Sequence, residues 1–308
     1  MENTVVGIVI LNYITWDDTK RCITSIRETT KGISYKIYVV DNASPVSPND
    51  SMLSFLNEND IEYLPSDINR GYAAGNNIGI KRALDDGCNY ILISNNDILY
   101  EEHSITRMVE AFSEDGEVGI IGPLVVNHDG SIQKGTRYNE GGLKQKYLAE
   151  TLLRKVFPKY RIMYFGSDSD YENSSYVYAV SGCCFMLSKT CASLITPLDE
   201  NTFLYGEEAI IGNRMLKKGL KTFYYPKSRV IHKHAGSTSH VKAFSYICKV
   251  KSEMYYCHKY LNSRVINIIP LYCFRTISFI VHSIFKKDYR KELSRYFKET
   301  WILNSKYR

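Results

Sequence analysis

The chain lacks any C-x-x-C pair, although it holds 8 cysteines, two of them adjacent at Cys183-Cys184. Without that spacing a zinc site is not expected, and free thiols in a reducing compartment are the natural reading. Neither G-x-G-x-x-G nor a Walker loop occurs: the glycines of "NRGYAAGNNIGI" (69–80) fall four apart, at Gly71, Gly75 and Gly79. No basic, apolar leader opens the sequence, since Met1 runs through Glu2-Asn3 into a strand-like segment, and a cytosolic start is expected. A basic body is missing too. Residues 242–308 hold 14 Lys and Arg against 4 Asp and Glu, whereas residues 1–241 hold 25 against 29. The net charge of +6 therefore belongs to the tail, and no nucleic-acid partner is expected.

What is present is an ordinary globular composition, 44% hydrophobic and 23% charged over 308 residues, enough for one large domain or two. "TVVGIVILN" (4–12) is an almost continuous apolar run of the kind a buried parallel strand needs. A helical pattern at 16–28, a strand at 35–44, a short helix at 51–59, a strand at 61–64, a helix at 73–87 and a strand at 90–94 follow. Strands alternating with helices imply a mostly parallel α/β sheet covered on both faces. Residues 128–175 are less regular, and "GSDSDYENSS" (166–175) reads as a mobile loop. Strand character returns at 175–188, a helix at 207–219, and a helical tail from about Val241. Within that tail, residues 265–285 are long and apolar enough to span a membrane, but Pro270, Arg275 and His282 interrupt them and "KKDYRK" (286–291) flanks them. A helix lying in the membrane interface and a helix packed in the core are equally good readings; a span is the third.

In open α/β sheets, ligands sit at the carboxyl ends of strands. Those ends are Asn12-Tyr13, Asp41-Asn42-Ala43-Ser44 and Asn95-Asn96-Asp97. Any one of them is explained as turn or capping chemistry; three together point to a crevice. The loop at Asn69-Arg70-Gly71 with Asn76 suits close backbone approach to a ligand, with Arg70 near a phosphate, or else helix packing through small residues. Glu207 and Glu208 open a helix, where the dipole favours acids, but the apolar "FLYG" before them suggests a recessed pair able to act as a base, with Arg214 available as a partner. His232 and His234 alternate on one face of a strand-like segment; a histidine there is a structural hydrogen-bonder or a cation ligand.

In order, "VVGIVILNY", "VVDNAS", "NRGYAAGNNIGI", "ILISNND", "VSGCCFMLSK", "FLYGEEAIIGNRMLKKG" and "VIHKHAGSTS" resemble the inverting family 2 glycosyltransferases with the GT-A fold, in the rhamnosyltransferase-like branch that builds O-antigen and capsule. The resemblance spans about residues 4–240. It implies a glycosyltransferase domain at 1–240, divided into a nucleotide-sugar half (1–127) and an acceptor half (128–240), and a basic helical tail at 241–308. It implies that Asn12, Tyr13, Asp41 and Ser44 hold the nucleotide, and that Asn69, Arg70, Gly71 and Asn76 line the donor. By the same resemblance Asn95, Asn96 and Asp97 stand where the family's D-x-D binds metal and diphosphate. Asp97 is then the main ligand of Mg²⁺ or Mn²⁺, with Asn95 and His232 beside it and Asn96 the spacer facing the other way. Glu207-Glu208 matches the catalytic acid pair, with Glu208 the base. Two positions depart from the family pattern: Asn95 replaces an Asp, and Glu208 replaces an Asp.

The implied activity is inverting transfer from a UDP- or dTDP-sugar to a glycan hydroxyl. The implied acceptor is polyprenyl-diphosphate-linked, at the inner face of the membrane and met through the tail. The rivals are a sugar nucleotidyltransferase, which would place glycine and lysine after the first strand where "ILNYITWDD" has neither, and a catalytically silent nucleotide-binding or scaffold subunit.

Overall fold

The computed structural model describes residues 4–233 and 242–301. The chain begins β1 (Val5–Asn12), α1 (Trp16–Thr29), β2 (Ser34–Asp41), α2 (Asp50–Glu58), β3 (Glu62–Pro65), α3 (Tyr72–Asp85) and β4 (Tyr90–Asn95). A tight turn leads into β5 (Ile98–Tyr100), then α4 (Ser104–Ala111), β6 (Val118–Asn127) and β7 (Arg137–Tyr138). Next come α5 (Leu143–Glu150), α6 (Pro158–Phe165), β8 (Ser175–Val177), β9 (Ala179–Val180), β10 (Cys184–Ser188), α7 (Lys189–Ile195), α8 (Glu207–Lys217) and β11 (Lys221–His232). The tail is α9 (Lys242–Lys259), α10 (Val265–Phe285), α11 (Lys287–Lys291) and α12 (Leu293–Thr300).

The main sheet runs β3-β2-β1-β4-β10-β6-β11-β5, with β8 on β11. Its first four strands are parallel, as their continuous apolar runs require. Beyond β4 the sheet becomes mixed: β10 is antiparallel to both β4 and β6, and β5 antiparallel to β11. The expected strand at 175–188 is broken into three pieces with different partners, because Gly182 turns the chain back along β4. One apolar layer, including Ile8, Ile10, Ile23 and Ile26, fills the face under α1 and α4. A second, including Val9, Val40, Ile80 and Ile91, fills the face under α3.

Helix α3 lies so close to the sheet that a Cβ on Gly75 would meet Leu11 at 2.5 Å, and one on Gly79 would meet Val9 at 2.3 Å. Those two glycines serve packing. Gly71 serves the turn before α3, with φ +95° and a would-be Cβ 2.2 Å from the Phe203 carbonyl oxygen.

One expectation for the second half needs correction. The "GSDSDYENSS" segment is pinned rather than loose. Asp170 accepts from the backbone and hydroxyl of Ser167, and Tyr171 is buried with its hydroxyl donating to the Phe165 carbonyl. The tail is joined to the body by a third apolar cluster that takes Ile210 from α8 together with Ile247, Leu271, Phe279 and Tyr296.

Helix α10 is long and apolar enough to cross a membrane, yet a third (33%) of its apolar stretch is buried against the protein. Its Arg275 is locked to Glu253 of α9 at 2.7 and 2.8 Å and to the Glu150 carbonyl at 2.9 Å, which ties the helix to the body.

Candidate active site

The carboxyl ends of β1, β2 and β4 converge through hydrogen bonds between side chains. Asn12, fully buried, donates to Asp41 Oδ1 (3.1 Å) and accepts from Thr19 (2.9 Å) and Asn96 (3.0 Å). Ser44 donates to the same Asp41 oxygen and accepts from the Ile14 backbone at 2.7 Å. Asp41 Oδ2 faces the Tyr63 hydroxyl at 3.5 Å, and Tyr63 packs edge-on to Trp16 at 6.0 Å. Ile14 (φ 74°) and Ala43 (φ 55°) both adopt left-handed backbone where these strands end. Such local strain collects at ligand sites. Asn12 thus ties the end of β1 to Asp41 and Ser44 at the end of β2, with half-buried Tyr13 next in the chain.

Asn96 differs from a plain spacer. Its amide donates to Asn12, to both oxygens of Thr15 and to Thr19, at 2.8–3.1 Å. It is a brace for the β1–α1 loop, and the donors that would reach a diphosphate are already used.

Asn69 is likewise a brace, accepting from Gly71 N and from Asn42. Asn76 is fully buried; it donates to the Tyr72 carbonyl and its Oδ1 has no partner. Arg70 does not stand waiting for phosphate: it pairs with Glu200 on the outer side of α3, lining a groove with Ile68, Asn77 and Pro197. Arg214 does not reach the glutamates either, since it donates to the Ile195 and Pro197 carbonyls.

The turn after β4 buries Asp97, and β11 brings His232 to it through the register His232–Ile98. His232 Nε2 lies 3.3 Å from Asp97 Oδ1, and Nδ1 lies 3.0 Å from Gln133 Oε1. In the tautomer whose Nδ1–H donates to the Gln133 oxygen, Nε2 turns its lone pair toward the Asp97 carboxylate. That geometry fits a divalent cation, with Asp97 and His232 as protein ligands and Asn95, half-buried beside them, as a further oxygen. Gln133 is the outer partner that orients the imidazole. Among the described residues no group of three or more His, Cys, Asp and Glu gathers at any point. His234 lies outside the described residues.

The acid pair sits across β10 from this point. Gly206 (φ 88°) and Tyr205 (φ 69°) make a left-handed corner that launches α8, and Glu207 and Glu208 form its first turn. Glu208 Oε1 accepts from Gly182 N at 3.2 Å, and the next residue, Cys183, accepts from Asn95 N at 2.8 Å. Two hydrogen bonds along Gly182-Cys183 thus connect Glu208 to the strand end that carries Asp97. Burial, then Cys184, then Asp97 and Glu208 all push the Cys183 thiol upward, so both acids act on the same point. Tyr72 closes the corner by donating to the Gly182 carbonyl; burial and the two glutamates hold its phenol well above the ordinary range.

The two acids differ. Glu208 faces a cavity, while Glu207 is 6% exposed and its Oε1 has no hydrogen-bond partner. Burial, with the Glu208 charge second, pushes Glu207 up to about 8. Glu207 is thus the buried member of the pair and Glu208 the one that reaches the cavity. Tyr72, Gln133, Gly182 and Tyr205 were missed by sequence reasoning. Only the glycine before Cys183-Cys184 carried a local signal.

The glycosyl transferase family 2 description matches residues 6–190, more than half of the chain. The chain belongs to glycosyl transferase family 2. As a member it is a glycosyltransferase of the hexosyltransferase type. It is 25% identical over 244 residues to the N-acetylglucosaminyl-diphospho-decaprenol L-rhamnosyltransferase of Mycobacterium tuberculosis, covering 76% of this chain and 78% of that one. It is 27% identical over 203 residues to the low-salt glycan biosynthesis hexosyltransferase Agl10 of Haloferax volcanii, covering 66% and 58%. Among solved structures, GalNAc-T7 with UDP, GalNAc and Mn²⁺ shares the fold at a TM-score of 0.56 and 15% identity. That similarity covers 88% of this chain, which spans about half of the GalNAc-T7 chain (54%). The fold of this glycosyltransferase is thereby GT-A, with helices appended at the C-terminus.

Proposed function

We propose that this glycosyltransferase moves a sugar, with inversion, from a UDP- or dTDP-sugar to a hydroxyl of a polyprenyl-diphosphate-linked glycan, with Mg²⁺ or Mn²⁺, in the synthesis of cell-surface polysaccharide such as O-antigen or capsule. The observation that carries the reading is the short Gly182-Cys183 connection between the Glu208 carboxylate and the Asp97–His232 corner. It supports a reading with one base on the acceptor side and one charge-bearing corner on the donor side, as a single displacement requires. The acceptor class is supported by the names of the mycobacterial and haloarchaeal relatives.

In this reading Asp41, Ser44 and Tyr13 seat the nucleotide, and Asn12, Asn69, Asn76 and Asn96 hold those loops in place. A bound divalent cation supplies neutralisation of the charge that develops on the departing diphosphate. Glu208 takes the proton of the attacking hydroxyl, a contribution of ~10²–10⁴ in rate. Burial and the neighbouring Glu208 favour the neutral form of Glu207.

The tail supports a membrane-surface address. Helix α10 turns Ile266, Ile277, Val281, Ile284 and Phe285 outward on the side away from its buried residues, and exposed Lys286, Lys287 and Arg290 follow. An apolar stripe bordered by cations suits the interface of an anionic membrane.

The test is a thermal-shift screen of UDP- and dTDP-sugars with and without Mn²⁺ or Mg²⁺. A donor at 100-fold excess over its Kd should stabilise the chain by ~2.7 kcal/mol, and only with the cation present. Stabilisation by no nucleotide sugar, with either cation, defeats the reading.

A further inference from the structure

Beside Glu208, between α5, α6, α8 and α9, lies a cavity of about 240 Å³ that the donor chemistry leaves unused. That volume is below the about 300–1,000 Å³ of a site for a drug-sized ligand, and suits one pyranose ring rather than a chain. Its walls are rich in aromatic side chains, with Tyr138, Tyr164 and Tyr205 among them.

The polar part is a buried ion-pair chain. Lys146 meets Glu150 at 2.7 Å with both side chains 12% exposed, and Arg275 joins Glu150 to Glu253. Burial works against the Lys146 charge, but Glu150, Tyr164 and Glu253 outweigh it and keep the ammonium protonated. Buried pairs of this kind seldom add stability over an apolar core. Placed on a cavity wall, they present fixed donors and acceptors side by side. A sugar has the complementary surface, with apolar C–H faces and a ring of hydroxyls that both donate and accept. Tyr205 adds a second indication. It is 37% exposed, lines the cavity, and holds a left-handed backbone (φ 69°) directly before the acid pair. A bulky residue rarely keeps that conformation without a use.

We infer that this cavity binds the acceptor sugar, with Tyr205 as the stacking platform and the Lys146–Glu150 pair reading the hydroxyls. The inference rests on the proposed function. In the step it serves, the acceptor oxygen bonds to the donor sugar's C1 and the C1–phosphate bond breaks. The bonding pair leaves with the diphosphate, and the hydroxyl proton goes to Glu208. Because Lys249, Glu253 and Tyr256 of α9 also line the cavity, the tail completes the acceptor site as well as bordering the membrane.

The test is saturation-transfer NMR on the full chain with free N-acetylglucosamine, rhamnose, galactose and glucose, in the presence of UDP and Mn²⁺. At least one sugar should receive saturation; Tyr205→Ala should weaken its binding about tenfold, the cost of losing an aromatic anchor, and Tyr205→Phe should retain it. No saturated sugar, or a signal unchanged in Tyr205→Ala, overturns the assignment. Release of nucleoside diphosphate by the wild-type chain separates the two ideas. Without release from any donor the proposed function itself fails, and the site with it; release with no sugar signal removes the cavity assignment alone.

Discussion

Replacing Glu207 by glutamine should stabilise the protein more as pH rises. Glu207 is buried, its Oε1 finds no donor, and its neighbour Glu208 repels a second charge. In the folded chain its proton leaves at about 8, against an ordinary value of 4.5. The folded state therefore binds the proton more tightly than the unfolded one. Stability is highest below the unfolded value and falls by about 1.4 kcal/mol per pH unit between the two values. Across the whole window that is on the order of 5 kcal/mol, a large share of a typical domain stability of ~5–15 kcal/mol. Glutamine has the shape of the neutral acid and does not ionise. The assay is urea unfolding of wild type and Glu207→Gln at intervals from pH 5 to 8.5. The wild type should lose stability across this range while the variant stays comparatively flat, so that the gap widens with pH. Parallel curves, or a gap that narrows toward high pH, would refute a buried protonated Glu207.

Replacing Gln133, which orients His232, should weaken Mn²⁺ binding by about 10–100-fold, the usual cost of losing an outer partner at a metal site; Asp97→Asn should abolish it, as read by calorimetry in the presence of UDP. Equal Mn²⁺ affinity in wild type and both variants would remove the cation from that corner. On the outer face of α10, the pair Ile277→Glu and Ile284→Glu should lower co-flotation with anionic vesicles severalfold while leaving the fold intact, since both side chains are about 60% exposed (60% and 59%). Flotation that is unchanged would mean the stripe faces something other than lipid.

The parallel half of the fold was readable because its signal is local. Continuous apolar runs gave β1, β2 and β4, and the polar residues at their ends include Asn12, Asp41 and Ser44, which hydrogen bonds join. The pairing of Asp97 with His232 also followed from order along the chain, once the family pattern was present. What could not be read were partners set by long-range packing. Arg70 meets a glutamate 130 residues away, and Asn96 reaches back 77–84 residues to brace the first loop. Polar composition made residues 166–175 look loose, yet one buried tyrosine and one aspartate cap fix them. The acid pair was visible as a pair, but which member is buried depends on where the corner at Tyr205-Gly206 points the helix. The tail was legible as amphipathic and not as the far wall of a cavity, because α5 and α9 approach each other only in the folded chain.

The most direct test of the account is Glu208→Gln, assayed for transfer from the best nucleotide sugar to N-acetylglucosaminyl-diphospho-decaprenol, with donor binding measured in parallel. The account predicts a fall in kcat of ~10²–10⁴, about 2.7–5.4 kcal/mol of transition-state stabilisation, with donor affinity and cation requirement kept. Turnover that survives the substitution would contradict the assignment of Glu208 as the base, and with it the central claim.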